Sequence, residues 1–294
     1  MNAGFDTERG DIERALREIC KRYLPKLPVP VAAAIEYGTL SRGKRLRPLL
    51  LLFAYRACRG PGDATRLACA PEIIHSYSLM HDDLPCMDDD DIRRGRPTTH
   101  VVHGSRTAIV AGASMIPLAV AVARDALSEL GVPPDRARRT VTALLEGSGA
   151  GGMIGGQLRD LEGEGATLTL AALEAVHAAK TGALIVASAR MGALAAGAGD
   201  DDVAAVDRYG RCIGLAFQIM DDVLDLTSTT VTLGKTAGRD EALGKSTYPA
   251  LLGISGARER AEALVSEATE ALSGRGLLTQ DLRQVANFMV TRTS

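Results

Sequence analysis

Long runs of apolar residues at helical spacing, separated by short polar breaks, dominate the hydrophobic pattern of the chain. These Ala- and Leu-rich runs repeat with the period of a helix, and they include residues 11–24, 65–81, 106–127, 171–194 and 202–226. The breaks are short clusters of Gly, Pro, Asp, Ser and Thr, and no run alternates as a half-buried strand does. The pattern predicts an all-α fold, a single domain over residues 1–294 built as a large helical bundle. The segments 105–125 and 180–197 are apolar nearly all round, which predicts central helices.

Composition narrows the class of protein. The 294 residues are 46% hydrophobic and carry a net charge of -2, which favours a full core and argues against a nucleic-acid binder. The N-terminal stretch mixes charges throughout, and by sequence no apolar run approaches the ~20 residues of a membrane span. The five cysteines form no CxxC pair, so neither a zinc cluster nor a disulfide framework is predicted. We therefore expect a cytoplasmic protein without stable membrane insertion that acts on small molecules or on protein.

An unusually dense acidic stretch follows the second of these apolar runs. Six aspartates lie between Asp82 and Asp91, and three arginines follow them. Asp82 and Asp83 are predicted at the carboxyl end of a helix that Pro85 terminates. Because a helix C-terminus carries partial negative charge, carboxylates there are unfavourable unless a cation is nearby.

A second acidic cluster, Asp221, Asp222 and Asp225, interrupts another apolar helix. The i, i+4 spacing of Asp221 and Asp225 places two carboxylates on one face, where they repel. One such cluster is more often a solvated helix end, but two of them favour a metal site. Carboxylate ligands indicate Mg²⁺, which commonly shares its coordination with substrate phosphates. The sequence thus predicts Mg²⁺ and a phosphorylated ligand.

Basic residues near both clusters supply a matching half, because arginine and lysine are the usual partners of phosphate oxygens. They are Arg93, Arg94 and Arg96; Lys235, Arg239 and Lys245; and Lys44, Arg45 and Arg47. Taken singly, each is more simply a surface charge. Together they predict two anionic groups, but they leave hydrolysis, phosphoryl transfer and departure of diphosphate equally open. No P-loop pattern favours a nucleotide enzyme of that class.

The order of the motifs resolves this choice by resemblance. The stretches "GKRLRP", "HSYSLMHDDLPCMDDDDIRRGRPT", "GGQLRDLEGEG", "HAAKTGAL" and "FQIMDDVLDLTSTTVTLGKTAGRDEALGKSTYP" span nearly the whole chain. In this order they resemble the trans-isoprenyl diphosphate synthases, most closely the bacterial farnesyl and geranylgeranyl diphosphate synthases. The resemblance implies a helical bundle of the isoprenoid synthase type around a central apolar cavity, usually a homodimer. It also implies head-to-tail condensation of an allylic diphosphate with isopentenyl diphosphate.

The resemblance assigns roles to individual residues. It implies two or three Mg²⁺ ions held by Asp82, Asp83, Asp88, Asp221, Asp222 and Asp225. The implied ligands of isopentenyl diphosphate are Lys44, Arg47, His75 and Arg94. Those of the allylic diphosphate are Arg93, Lys180, Lys235 and Lys245, with Thr181 and Gln218 near the developing allylic cation. The chain departs from the family's usual residues at Ser105, Ala113 and Met220, and of these Met220 adjoins the second aspartate cluster, where we expect it to alter substrate fit.

Product length depends on the residues just before Asp82. Tyr77 lies five residues earlier, about 7.5 Å along a helix, where its ring can stop a growing chain. An aromatic residue there goes with short products in the resembling family, so we expect farnesyl diphosphate. Because Ser78 is small and could leave a side passage, geranylgeranyl diphosphate is the alternative. Other classes are a non-catalytic subunit of a prenyltransferase dimer, disfavoured by two intact aspartate clusters, and a terpene cyclase or head-to-head coupling enzyme, which needs no second diphosphate site.

Overall fold

The computed structural model describes residues 5–163, 165–227 and 246–292, and its secondary structure is overwhelmingly helical. In chain order the helices are α1 Asp6–Tyr23, α2 Val29–Thr39, α3 Leu46–Ala57, α4 Thr65–Asp82, α5 Thr99–His103, α6 Ser105–Glu129, α7 Pro134–Ser148, α8 Met153–Glu162, α9 Leu170–His177, α10 Ala183–Ala196, α11 Asp200–Thr227, α12 Tyr248–Ser273 and α13 Gln280–Thr291. A 3-10 turn covers Leu24–Lys26, and a short antiparallel hairpin pairs β1 (Ile92–Arg93) with β2 (Arg96–Pro97). The predicted all-α class is confirmed.

Helix α10 lies at the centre of the bundle and contacts both helices that carry the aspartate clusters. It packs against α3, α7 and α11 and also touches α4. Its Gly192 allows a close approach, because a Cβ there would lie 2.3 Å from the carbonyl oxygen of Leu51 in α3. Helix α4 in turn packs on α6, and α11 packs on α12. The helices that carry the aspartate clusters are therefore both anchored on α10.

The apolar run 171–194, predicted as one helix, is divided by a π-helical turn. This π turn covers Ala178–Gly182 and joins α9 to α10. Such turns are rare and occur often at functional sites. Helix α8 abuts the π turn, since a Cβ on Gly156 would lie 2.1 Å from the backbone nitrogen of Lys180. The turn carries Lys180 and Thr181, two of the predicted site residues.

Helix α6 differs from its prediction as a central helix. Its inner face is buried, but Ile109 and Val110 are 45% and 51% exposed, and Val101 and Val102 of α5 are also exposed. The prediction for segment 105–125 is therefore wrong for the single chain. A helix that is apolar on all sides is predicted to be buried, but the described residues leave this face of α6 exposed. We call these four residues the α5–α6 apolar face.

Within the part of the chain that the structure describes, two helical stretches are long and apolar enough to cross a membrane by length and composition alone, Ser105–Glu129 and Leu170–Ala196. This finding corrects the expectation that no apolar run comes near that length. Core helices of large bundles pass the same test. Both stretches are packed against other helices of the bundle in this structure.

Candidate active site

The first aspartate cluster is built on the carboxyl end of α4. The helix ends at Asp82, as predicted, and the chain then turns back on the exposed carbonyls of its last turn. The backbone nitrogen of Asp88 donates to the Asp82 carbonyl at 2.8 Å, and that of Asp90 donates to the Asp83 carbonyl at 3.2 Å. These bonds satisfy carbonyls that a helix end leaves without partners. They also bring Asp88 to the same end of α4 as Asp82 and Asp83.

The carboxylates of this cluster are crowded and desolvated. Burial raises the pKa of Asp82 to about 7, with Lys180 opposing the rise and Asp88 adding to it. Burial likewise raises the pKa of Asp83 to about 6, although Arg93 pairs with it and opposes the rise. A cation between these carboxylates would favour their charged forms. The environment is therefore suited to positive charge beyond that of Lys180 and Arg93.

The second cluster lies in the last turns of α11. Asp222 accepts a hydrogen bond from the backbone nitrogen of Tyr248, at 3.0 Å, and Asp225 is buried. Asp221 is more exposed and pairs with Arg292, whose Nη1 lies 2.7 Å from Oδ1. Sequence analysis missed Arg292, because it lies near the end of the chain in no recognisable motif. Its guanidinium pairs with one of the carboxylates that are predicted to bind a metal.

Lys180 of the π turn faces the first cluster. Its Nζ lies 2.6 Å from Oδ2 of Asp160 in α8, and it is close enough to Asp82 to influence that carboxyl's pKa. Thr181 follows in the same turn. The turn also touches α11, because a Cβ on Gly214 would lie 3.2 Å from Cα of Gly182. Gln218 lies one helical turn after Gly214, so Thr181 and Gln218 are carried by elements in direct contact.

Four predicted ligands of a second anion, Lys44, Arg47, His75 and Arg94, share one environment that we call the cationic pocket. Arg94 Nη2 lies 3.5 Å from Nε2 of His75, and Arg94 Nη1 donates to the carbonyl of Arg42 at 2.6 Å. A neighbouring cleft is lined by Ser76, Asp83, Arg93 and Arg94 among others, which connects the pocket with the first aspartate cluster.

Burial, together with repulsion between like charges, lowers the pKa values of residues in the cationic pocket. Burial lowers the pKa of Arg47 to about 10, with the nearby carboxylate of Glu72 opposing the change. Burial and then Arg292 lower the pKa of Lys44. Burial and the surrounding arginines, Arg47 foremost, hold the pKa of His75 well below its usual value, so its imidazole is neutral. A polyanion placed here would relieve this repulsion.

Tyr77 and Ser78 lie on α4 before the first cluster. The Tyr77 ring is 8% exposed and packs edge-on against His81, with ring centroids 4.8 Å apart. His81 in turn lies 3.1 Å from the carbonyl of Ile109 and fills the space over Gly112, both in α6. The Ser78 hydroxyl donates back to the His75 carbonyl at 3.0 Å. Tyr77 and His81 thus form a wall between α4 and α6, which we call the Tyr77 wall.

The aspartate clusters fit a hard divalent cation by their donor chemistry, since oxygen ligands suit Mg²⁺. Among the described residues, no three His, Cys, Asp or Glu side chains form a closed metal site by themselves. The raised pKa of Asp82 is the feature that best matches a cation site. Lys235 and Lys245 lie outside the described residues, so their predicted contacts remain predictions.

Comparisons with known proteins identify relatives of this chain. The model of the polyprenyl synthetase family matches residues 29–277. The chain is 45% identical over 283 residues to farnesyl diphosphate synthase of Escherichia coli (strain K12), covering 92% of this chain and 93% of that protein. It is 44% identical over 254 residues to the chloroplastic geranylgeranyl pyrophosphate synthase 12 of Arabidopsis thaliana, covering 85% and 70%. The crystal structure of an FPP/GFPP synthase from Zymomonas mobilis superposes with a TM-score of 0.80 at 33% identity, covering 97% and 99%.

Proposed function

Because the chain belongs to the polyprenyl synthetase family and is a prenyltransferase, we propose that it condenses an allylic diphosphate with isopentenyl diphosphate head to tail. The observation that supports this proposal is a pair of adjoining clusters of charged side chains, each suited to bind an anionic group. One is the Asp82 cluster with Arg93 and Lys180, and the other is the cationic pocket. An enzyme that acts on a single diphosphate would not need the second site.

Each set of residues has a distinct task in the proposed reaction. Arg93 and Lys180, with Lys235 and Lys245, bind the allylic diphosphate, while the cationic pocket orients isopentenyl diphosphate. Two or three Mg²⁺ ions held by the six aspartates of the two clusters would supply positive charge that stabilises the departing diphosphate. Thr181 and Gln218 present polar groups to the developing allylic cation. The Tyr77 wall excludes water from that cation.

Farnesyl diphosphate is the proposed product, with dimethylallyl and geranyl diphosphates as allylic substrates. The buried ring of Tyr77 supports this product. Burial raises the pKa of Tyr77, and the nearby carboxylate of Asp82 raises it further, so the ring lies close to the proposed diphosphate site. Geranylgeranyl diphosphate is the second candidate. It is favoured by the 44% identity to a protein named geranylgeranyl pyrophosphate synthase.

The test is the dependence of turnover on both substrates and on Mg²⁺. Labelled isopentenyl diphosphate should enter an extractable prenyl product only when geranyl diphosphate and Mg²⁺ are both present. EDTA should abolish the product. A hydrocarbon formed from geranyl diphosphate alone would identify a terpene cyclase, and no turnover under any condition would favour a non-catalytic subunit.

We also propose that the chain is one domain and acts as a cytoplasmic homodimer. The α5–α6 apolar face supports the dimer, because contiguous exposed apolar residues commonly mark a protein interface. Sedimentation equilibrium should give twice the chain mass of 30.9 kDa. Replacing Ile109 and Val110 with lysine should shift the mass towards that of one chain.

A further inference from the structure

A buried ion pair beside the cationic pocket engages Arg45, a residue that the sequence predicted as a partner of phosphate oxygens, with Glu72 instead. Arg45 Nη1 lies 2.7 Å from Oε1 of Glu72, and the two side chains are only 2% and 3% exposed. A buried ion pair is weak support for stability, because desolvating both charges offsets most of their attraction. Its presence therefore calls for another explanation.

Arg45 also holds an uncommon backbone conformation. It precedes α3 with φ 53° and ψ 34°, in the left-handed region that residues other than glycine seldom adopt. Its second terminal nitrogen, Nη2, donates to the carbonyl of Ser41 at 2.6 Å. The side chain thus closes the segment 41–45 on itself and ties it to Glu72 in α4. Strained backbone of this kind persists where surrounding contacts determine it and is frequent at functional sites.

The elements joined by this pair carry three residues of the cationic pocket and contact the fourth. Lys44 and Arg47 flank Arg45 in the chain, and His75 lies one helical turn after Glu72. Arg94 is attached to the same segment, since its Nη1 contacts the carbonyl of Arg42. The ion pair is therefore a buried contact that joins the segment before α3 to α4.

We propose that Arg45 and Glu72 are positioning residues for isopentenyl diphosphate, an inference that rests on the proposed function. Neither residue contacts the substrate. Both terminal nitrogens of Arg45 are engaged by Glu72 and Ser41, so its guanidinium is directed to protein acceptors. Their task is to hold Lys44, Arg47, His75 and Arg94 at the spacing of one diphosphate group.

Glu72→Gln tests this role, because it keeps the shape of the side chain and removes its charge. We expect KM for isopentenyl diphosphate to rise on the order of tenfold, since small misplacements of binding groups are costly. KM for geranyl diphosphate should stay within about twofold, because the allylic site is built on other contacts. A purely electrostatic role of Glu72 predicts the opposite change in this KM. Loss of a carboxylate beside Arg47 and Arg94 would then lower KM for isopentenyl diphosphate.

Asp207→Asn is the control, because Asp207 is a buried carboxylate that pairs with the partly exposed Arg190 at a distance from both anion sites. It lies 14 residues before Asp221 in α11, about 21 Å along the helix. Both KM values should be unchanged in this variant. An equal rise of the isopentenyl diphosphate KM in Asp207→Asn would show a general effect of losing a buried pair and would overturn the proposal.

The double variant Arg45→Met, Glu72→Leu guards against simple misfolding. A single replacement leaves one buried charge without its partner, whereas replacing both residues with apolar ones leaves none. The melting temperature of the double variant should therefore be close to that of the wild type. The weakened binding of isopentenyl diphosphate should remain. A folded double variant with wild-type KM values would overturn the proposal.

Calorimetric titration with isopentenyl diphosphate alone separates this inference from the function beneath it. If the wild type neither binds nor incorporates isopentenyl diphosphate, the proposed function is wrong and the inference fails with it. If the wild type does both and Glu72→Gln binds isopentenyl diphosphate equally well, only the positioning role is wrong. Weaker binding in Glu72→Gln, with unchanged binding in Asp207→Asn, supports the proposal.

Discussion

Replacing Tyr77 with alanine should lengthen the prenyl product, because this ring is the proposed floor of the chain cavity. Tyr77 lies five residues before Asp82, about 7.5 Å along α4 from the carboxylate that would hold the diphosphate through Mg²⁺. Its ring is 8% exposed and is held edge-on by His81, which itself packs over Gly112. The replacement removes the ring and leaves the backbone of α4 in place.

The size of the effect on stability follows from the burial of the ring. Truncating a buried aromatic residue to alanine typically costs 3–5 kcal/mol. We expect about 3 kcal/mol, the lower end of that range, because the Tyr77 ring is 8% exposed and not completely enclosed. At about 2 °C per kcal/mol for a chain of this size, the melting temperature should fall by about 6 °C. A farnesyl chain bound in the new space should recover part of this loss.

The assay is mass analysis of dephosphorylated products formed from geranyl diphosphate and isopentenyl diphosphate. Wild type should stop at farnesyl, whereas Tyr77→Ala should accumulate geranylgeranyl or longer chains. Tyr77→Phe keeps the ring and should behave as the wild type does. If Tyr77→Ala is folded, has the lowered melting temperature and still makes only the wild-type product, the floor lies elsewhere and the reasoning is refuted.

Three further predictions concern the metal clusters, the π turn and the thiols. Asp82→Asn and Asp221→Asn should each lower kcat on the order of 10², as loss of one strong electrostatic group does; steady-state rates equal to wild type would contradict a metal role. Gly156→Ala should lower kcat at least about tenfold by displacing the π turn, whereas Gly151→Ala, with open space around its Cβ, should be harmless. Cys86 should react with iodoacetamide first, because it is exposed while burial raises the pKa of the buried thiols; peptide mapping that finds a buried thiol first would contradict this.

The positions of both acidic clusters relative to their helices could be predicted from the sequence. Asp82 and Asp83 could be placed at a helix end because Pro85 terminates helices by a local steric rule. Likewise, apolar periodicity was enough to place Asp221 and Asp225 inside one long helix. Both predictions depend on neighbours within a few residues along the chain.

Features that depend on distant parts of the chain could not be predicted. The π turn changes a hydrogen-bond register without leaving a pattern in the apolar residues. Arg292 pairs with Asp221 across 71 positions, and no local signal connects them. The left-handed conformation of Arg45 runs against residue preference and is determined by contacts with Glu72 and Ser41. The exposure of α6 could not be read from its composition, because an apolar helix does not reveal its partner.

The most direct test of the account is product analysis with three allylic substrates. Dimethylallyl, geranyl and farnesyl diphosphates would each be incubated with isopentenyl diphosphate and Mg²⁺, and the dephosphorylated products weighed by mass spectrometry. The account predicts farnesol from the first two substrates, little extension of the third and no product without Mg²⁺. Efficient extension of farnesyl diphosphate would contradict the proposed product, and failure to extend any of the three would contradict the proposed function itself.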